Sequence, residues 1–114
     1  MSKKLFATTL VVSGTVLALA APPALAADAA AAQAWAKDAE CFKCHTIDKT
    51  KKGPSWKKIA AKYKGKADAE AKMTKHLTTG PKVKLEDGTE EDHKIVEAAE
   101  AAEMKNLIAW VLSL

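Results

Sequence analysis

Arginine is missing from this chain of 114 residues: all eighteen basic positions are lysine. Lysine presents a point charge rather than a planar fork, so bidentate reading of phosphates is not expected, nor is a nucleic-acid partner. Cysteine is nearly as scarce. Two residues, Cys41 and Cys44, allow one disulfide at most. With three histidines and no second cysteine pair, they do not offer the four ligands of a structural zinc site at its usual spacing. No stretch combines apolar–polar alternation with β-branched richness, so strands are not expected. No internal repeat is visible.

What is present begins with a secretory leader. Met1-Ser2-Lys3-Lys4 is a short basic start, Leu5 to Ala21 is an apolar run, and Ala24-Leu25-Ala26 is a small-x-small cleavage site. Cleavage after Ala26 makes residues 1–26 a signal peptide and residues 27–114 the mature domain. A retained membrane anchor is the rival, opposed by Gly14 within the run and by Pro22-Pro23 after it. The expected location is the periplasm, with no stable membrane insertion after cleavage. The formal charge of +4 falls to roughly +2 once Lys3 and Lys4 leave, too little for a general nucleic-acid binder. A domain this small cannot bury much of its chain and often needs a staple.

The remainder reads as four helices. Asp28–Glu40 is rich in alanine, with Asp28 a candidate N-cap and Trp35 its one bulky anchor. Ser55–Lys64 opens on another candidate cap and carries Trp56, Ile59, Ala60 and Tyr63 at helical spacing. Ala67–Thr78 places Ala69, Met73, His76 and Leu77 along one side, and Gly80-Pro81 stops it. Pro81–Asp92 is polar and acidic and is expected to be a loop. Glu97–Leu114 bears an apolar stripe of Ala101, Met104, Leu107, Ile108, Val111 and Leu112, widened by Trp110. The expected class is all-α. Helices this short need something central to pack against.

Cys41-Phe42-Lys43-Cys44-His45 has the spacing of a c-type haem attachment site. Two thiols separated by two residues can each form a thioether to one porphyrin vinyl group. The histidine that follows then faces the iron, for which imidazole is a suitable axial ligand. A redox Cys-x-x-Cys would sit in a βαβ setting, and no strands are evident. A simple disulfide stays open, because the chain is exported.

From that motif outward the chain resembles the small bacterial class I cytochromes c. Thr46-Ile47-Asp48, the segment Gly53-Pro54-Ser55-Trp56 through Tyr63, Gly65 to Ala71, Leu77 to Gly80 and the run Leu107 to Ser113 are all similar to that family. The resemblance implies short helices wrapped around one covalently bound haem, with the first and last helices crossing. It also implies that Pro54 supports the ring of His45 through its backbone carbonyl, and that the protein carries electrons.

The distal side departs from the family. A Met-Pro-Pro-like sequence normally supplies the sixth ligand just before the last helix, and this chain has none. The candidates are Met73, Met104, His76 and His93. Met104 and Met73 sit within helical stripes, where methionine is more often core than ligand. His76, beside Lys75, is expected at the surface. His93 stands before the last helix, about where the family places its methionine, and would give a bis-histidine haem of lower potential. An exposed loop histidine among acids is the plain reading of the same residue. If no side chain binds, the iron is five-coordinate and open to small ligands.

Two classes of function are open, the first implied by the resemblance and the second by an open or readily vacated iron site. One is a one-electron carrier without enzymatic chemistry, whose lysines around the haem edge (Lys43 and those from Lys49 to Lys58) steer periplasmic redox proteins with acidic docking surfaces. The other is a haem-based binder or sensor of small gases. A subunit of a larger redox complex is a third possibility.

Overall fold

The computed structural model describes residue 14 and residues 27–114; the leader assigned to residues 1–26 lies outside the described residues apart from Gly14. Four helices carry the architecture: α1 (Ala29–Asp38), α2 (Trp56–Tyr63), α3 (Ala69–Thr79) and α4 (Ala101–Leu112). None of the described helices is long and apolar enough to cross a membrane.

The helix boundaries follow from local chemistry. Asp28 caps α1 by accepting from the Ala31 N–H at 3.0 Å. Ser55, itself buried, caps α2 by accepting from the Lys58 N–H at 3.1 Å. Gly80 ends α3 in the left-handed region, φ 57°. The third helix starts at Ala69, two residues later than its composition suggests, because a turn on Lys66 precedes it. The last begins as a 3-10 turn over Ala98–Glu100 before it becomes α-helical.

The first and last helices pack on each other. Ala32 and Ala36 are fully buried on α1, and their small side chains let the α4 backbone come close. Polar groups fix the register of this crossing. Asn106 on α4 accepts from the Asp28 N–H and donates to the Asp28 carbonyl, both at 2.9 Å. Trp35 donates from its indole nitrogen to Glu100 at 3.2 Å. The core continues through Val96, Met104, Leu107, Ile108, Trp110 and Val111. Phe42, Trp56 and Trp110 form an edge-to-face column, with centroid spacings of 4.6 Å and 5.0 Å.

One element departs from the all-helical expectation. The segment read as a loop between Pro81 and Asp92 forms an antiparallel hairpin, β1 (Lys82–Lys84) and β2 (Glu90–Asp92), with Lys82 opposite Asp92 and Lys84 opposite Glu90. Its strands are three residues long and mostly exposed, so no apolar alternation announces them. Opposite charges and the turn hold it instead. Lys82 pairs with Asp92 at 3.1 Å. The Asp87 carboxylate accepts from the Thr89 N–H and hydroxyl, and Gly88 takes a positive φ of 85°. The fold is mainly helical, with this hairpin as its one sheet among the described residues.

Candidate functional site

A cavity of about 900 Å³ opens between α2, α3, α4, the hairpin and the segment from Cys41 to Pro54. That is near the upper end of the range for small-molecule and cofactor sites, about 300–1,000 Å³. Its floor is apolar, built from Trp56, Ile59, Leu107, Ile108 and Val111.

Cys41, Cys44 and His45 all line this cavity. The backbone brings them together. Glu40 adopts a left-handed conformation, φ 64°, and turns the chain off α1 into a 3-10 turn over Cys41–Lys43. The Cys41 carbonyl then accepts from the N–H groups of both Cys44, at 3.2 Å, and His45, at 3.0 Å. The motif is thereby wound into a single turn. Both cysteines are free thiols in this structure. Burial pushes the Cys41 thiol above its ordinary value, which keeps it protonated.

His45 has a fixed tautomer. Its Nδ1 lies 2.7 Å from the Pro54 carbonyl oxygen. A carbonyl has no proton to give, so Nδ1 donates and Nε2 is left with its lone pair. Burial lowers the His45 pKa, and the Pro54 hydrogen bond opposes this only in part; the ring is held neutral, as a metal ligand must be. Trp56 stacks beside it with a centroid separation of 6.1 Å. Gly53 is buried against the ring, where a Cβ would lie 3.0 Å from its Cε1.

His93 lies across the cavity. The centroids of the His45 and His93 rings are 6.3 Å apart. Its Nδ1 is 2.9 Å from the Lys94 carbonyl, so by the same argument its Nε2 carries the lone pair. The backbone pins it to α3 and the residues just after it: the His93 N–H donates to the Pro81 carbonyl at 2.9 Å and the Val96 N–H to the Leu77 carbonyl at 2.8 Å. Gly80 permits this closeness, since a Cβ there would lie 2.7 Å from the His93 carbonyl oxygen.

The other candidates fall differently. Met104 is buried in the core and does not line the cavity. Met73 is buried and does line it, as part of the apolar wall. His76 corrects the surface expectation: it is half-buried, lines the cavity and meets the His93 ring edge to face at 4.5 Å. The signal was present in the sequence, because His76 lies three residues after Met73 and directly before Leu77, on the buried side of α3. Among the lysines expected near the rim, Lys43 and Lys58 line the cavity, joined by Lys62, Lys84 and Lys94. Lys49, Lys51 and Lys52 do not line it, and Lys51 donates to the Phe42 carbonyl.

Among the described residues no cluster of three or more histidine, cysteine or acidic side chains could hold a bare metal ion. The donor set suits a metal-bearing cofactor instead: a large cavity with an apolar floor, lined by two thiols and by the imidazoles of His45, His76 and His93. The arrangement defines a helical haem-binding domain.

The chain belongs to the cytochrome c family, whose model matches residues 29–114. Membership, with a Cys-x-x-Cys-His sequence in the chain, implies covalent haem c as the cofactor. Among curated proteins it is 41% identical over 54 residues to cytochrome c-551 of Pseudomonas aeruginosa, a match covering 41% of this chain and 52% of that one. It is 40% identical over 42 residues to cytochrome c-551 of Pseudomonas denitrificans, covering 37% of this chain and 51% of that one. The chain thus spans about half the length of the curated relatives it matches. Solved structures match more fully. The class 1 cytochrome MtoD from Sideroxydans lithotrophicus is 52% identical with a TM-score of 0.74, covering 77% of this chain and 97% of that one. Cytochrome c552 of Nitrosomonas europaea is 28% identical with a TM-score of 0.60, covering 72% of this chain and 98% of that one.

Proposed function

We propose that the protein is a periplasmic one-electron carrier whose haem is held by thioethers from Cys41 and Cys44 and ligated by His45 and His93. The carrying observation is the spacing of the two imidazoles. A nitrogen–metal bond of about 2 Å on each side, plus about 1.1 Å from nitrogen to ring centre, gives roughly 6.2 Å between ring centres. The observed separation is 6.3 Å, with both Nε2 atoms bare and both Nδ1 atoms tied to backbone carbonyls.

The bound cofactor supplies an iron that alternates between ferric and ferrous. The chain does the rest. Cys41 and Cys44 anchor it in a domain too small to enclose it by packing alone. Pro54 fixes the His45 ring, and the Lys94 carbonyl does the same for His93. Ile108, Val111 and Trp56 keep water from the apolar side. His45 and His93, each held at Nδ1 by a backbone carbonyl, would keep structural reorganisation small when the haem is bound. Lys43, Lys58 and Lys62 at the rim would steer acidic redox partners into weak, fast complexes.

Mass spectrometry of the exported protein tests the anchoring. The peptide containing Cys41 and Cys44 carries the mass of one haem, and the mature N-terminus is Ala27. A folded, colourless chain with two free thiols would overturn the proposal.

A further inference from the structure

Every histidine of the chain lines one cavity. Two of them account for the axial positions proposed above, and the third has no assigned task. His76 is not a distant neighbour. Its ring meets that of His93 at a centroid separation of 4.5 Å, with the ring planes 65° apart. Unlike His93, it stands on a regular helix, anchored on either side by Met73 and Leu77 in the core.

We propose that His76 is a reserve iron ligand, able to take the axial position on the distal side when His93 leaves it. The inference rests on the reading of His45 and His93 as the resident pair. The geometry supports it in three ways. His76 and His93 approach the same side of the cavity, opposite His45. Among the described residues the His76 ring has no hydrogen-bond partner, so the exchange releases it from none, whereas His93 gives up its place in the Lys94 contact. The two ligands also come from separate segments of the chain. His93 lies in an extended stretch between the hairpin and the last helix, while His76 lies within α3. A displacement of the hairpin would carry off His93 and leave His76 in place.

The exchange is balanced. One dative iron–nitrogen bond, to His93, breaks, and one to His76 forms. Each imidazole keeps its own lone pair, and no electron or net proton is transferred. Nitrogen ligation on both sides is preserved, so the iron does not become open to small ligands.

Three haem-loaded variants of the full chain decide it: His93→Ala, His76→Ala and the double variant, each read by ferric EPR and by carbon monoxide binding to the ferrous form. The expected result is that His93→Ala stays low-spin with two nitrogen ligands but shifted g-values. His76→Ala stays low-spin with two nitrogen ligands, and only the double variant becomes high-spin and binds carbon monoxide at least about tenfold faster. A high-spin His93→Ala protein indistinguishable from the double variant would overturn the reserve role while leaving His93 as resident ligand. A double variant that keeps the unaltered low-spin spectrum would overturn the resident reading as well. Should the alanine proteins fail to load haem, His93→Gln and His76→Gln/His93→Gln preserve volume and polarity and give the same discrimination.

Discussion

His45 and His93 face each other across the cavity with their ring centres 6.3 Å apart, each held by a backbone carbonyl at Nδ1. They come from opposite sides of the fold. One belongs to the turn that follows α1, and the other to the segment between the hairpin and α4. The separation therefore depends on the tertiary structure as a whole, and changes to either supporting segment should register at the iron.

Replacing His93 by methionine should raise the reduction potential. Thioether donates less to ferric iron than imidazole does and so favours the ferrous form. The expected rise is on the order of 0.1 V, within the span of about 0.8 V that axial ligands control. Protein-film voltammetry of both forms measures it. An unchanged or lower potential would argue that His93 is not bound.

Met104→Leu should leave the visible spectrum and the potential unaltered and cost less than about 1.5 kcal/mol in stability. The side chain is buried in the core away from the cavity, and leucine fills a similar volume. Thermal unfolding and a ferric spectrum check the two halves. A change of axial ligand in this variant would mean that Met104 reaches the iron.

Gly80→Ala should disturb both stability and ligation. The new Cβ would lie 2.6 Å from the Ile95 side chain and 2.7 Å from the His93 carbonyl oxygen, at a φ of +57°. Strain of this kind costs about 1–3 kcal/mol. Because the clash falls on His93 itself, the loss should appear as a lower melting temperature together with altered EPR g-values.

Ser55→Ala should separate the two effects. It removes the cap of α2 on a buried hydroxyl, costing about 1 kcal/mol, and leaves the hydrogen bonds of both imidazoles intact. The melting temperature should fall while the spectrum stays as it was.

Electron exchange with an acidic partner should slow as salt is added, because the rim lysines are exposed and their field is screened over about 10 Å at 0.1 M. Replacing Lys58 and Lys62 by glutamate should slow it by roughly tenfold at low salt and flatten the salt dependence. Stopped-flow mixing at several ionic strengths measures both.

Much of this fold is legible in the sequence because its signals are local. Asp28 and Ser55 cap their helices, Gly80 ends one, and the stripe of Met104, Leu107, Ile108 and Val111 builds the buried side of the last. The hairpin is not legible, since Lys82–Lys84 and Glu90–Asp92 have no apolar face and pair through charge and turn geometry. At the site, the attachment motif is read from spacing alone. The distance between His93 and His45 is not, because it depends on hydrogen bonds from the His93 and Val96 N–H groups to the carbonyls of Pro81 and Leu77 that no local pattern encodes. His76 shows the weight of a near neighbour: Lys75 suggests a surface position, but the helical phase set by Met73 and Leu77 turns the imidazole inward.

Ferric EPR of the exported, haem-loaded protein addresses the central claim most directly. A metal gripped by His45 and His93 gives a low-spin signal from two nitrogen donors. A signal showing sulfur as the sixth ligand, or a high-spin iron with an open face, would contradict the account.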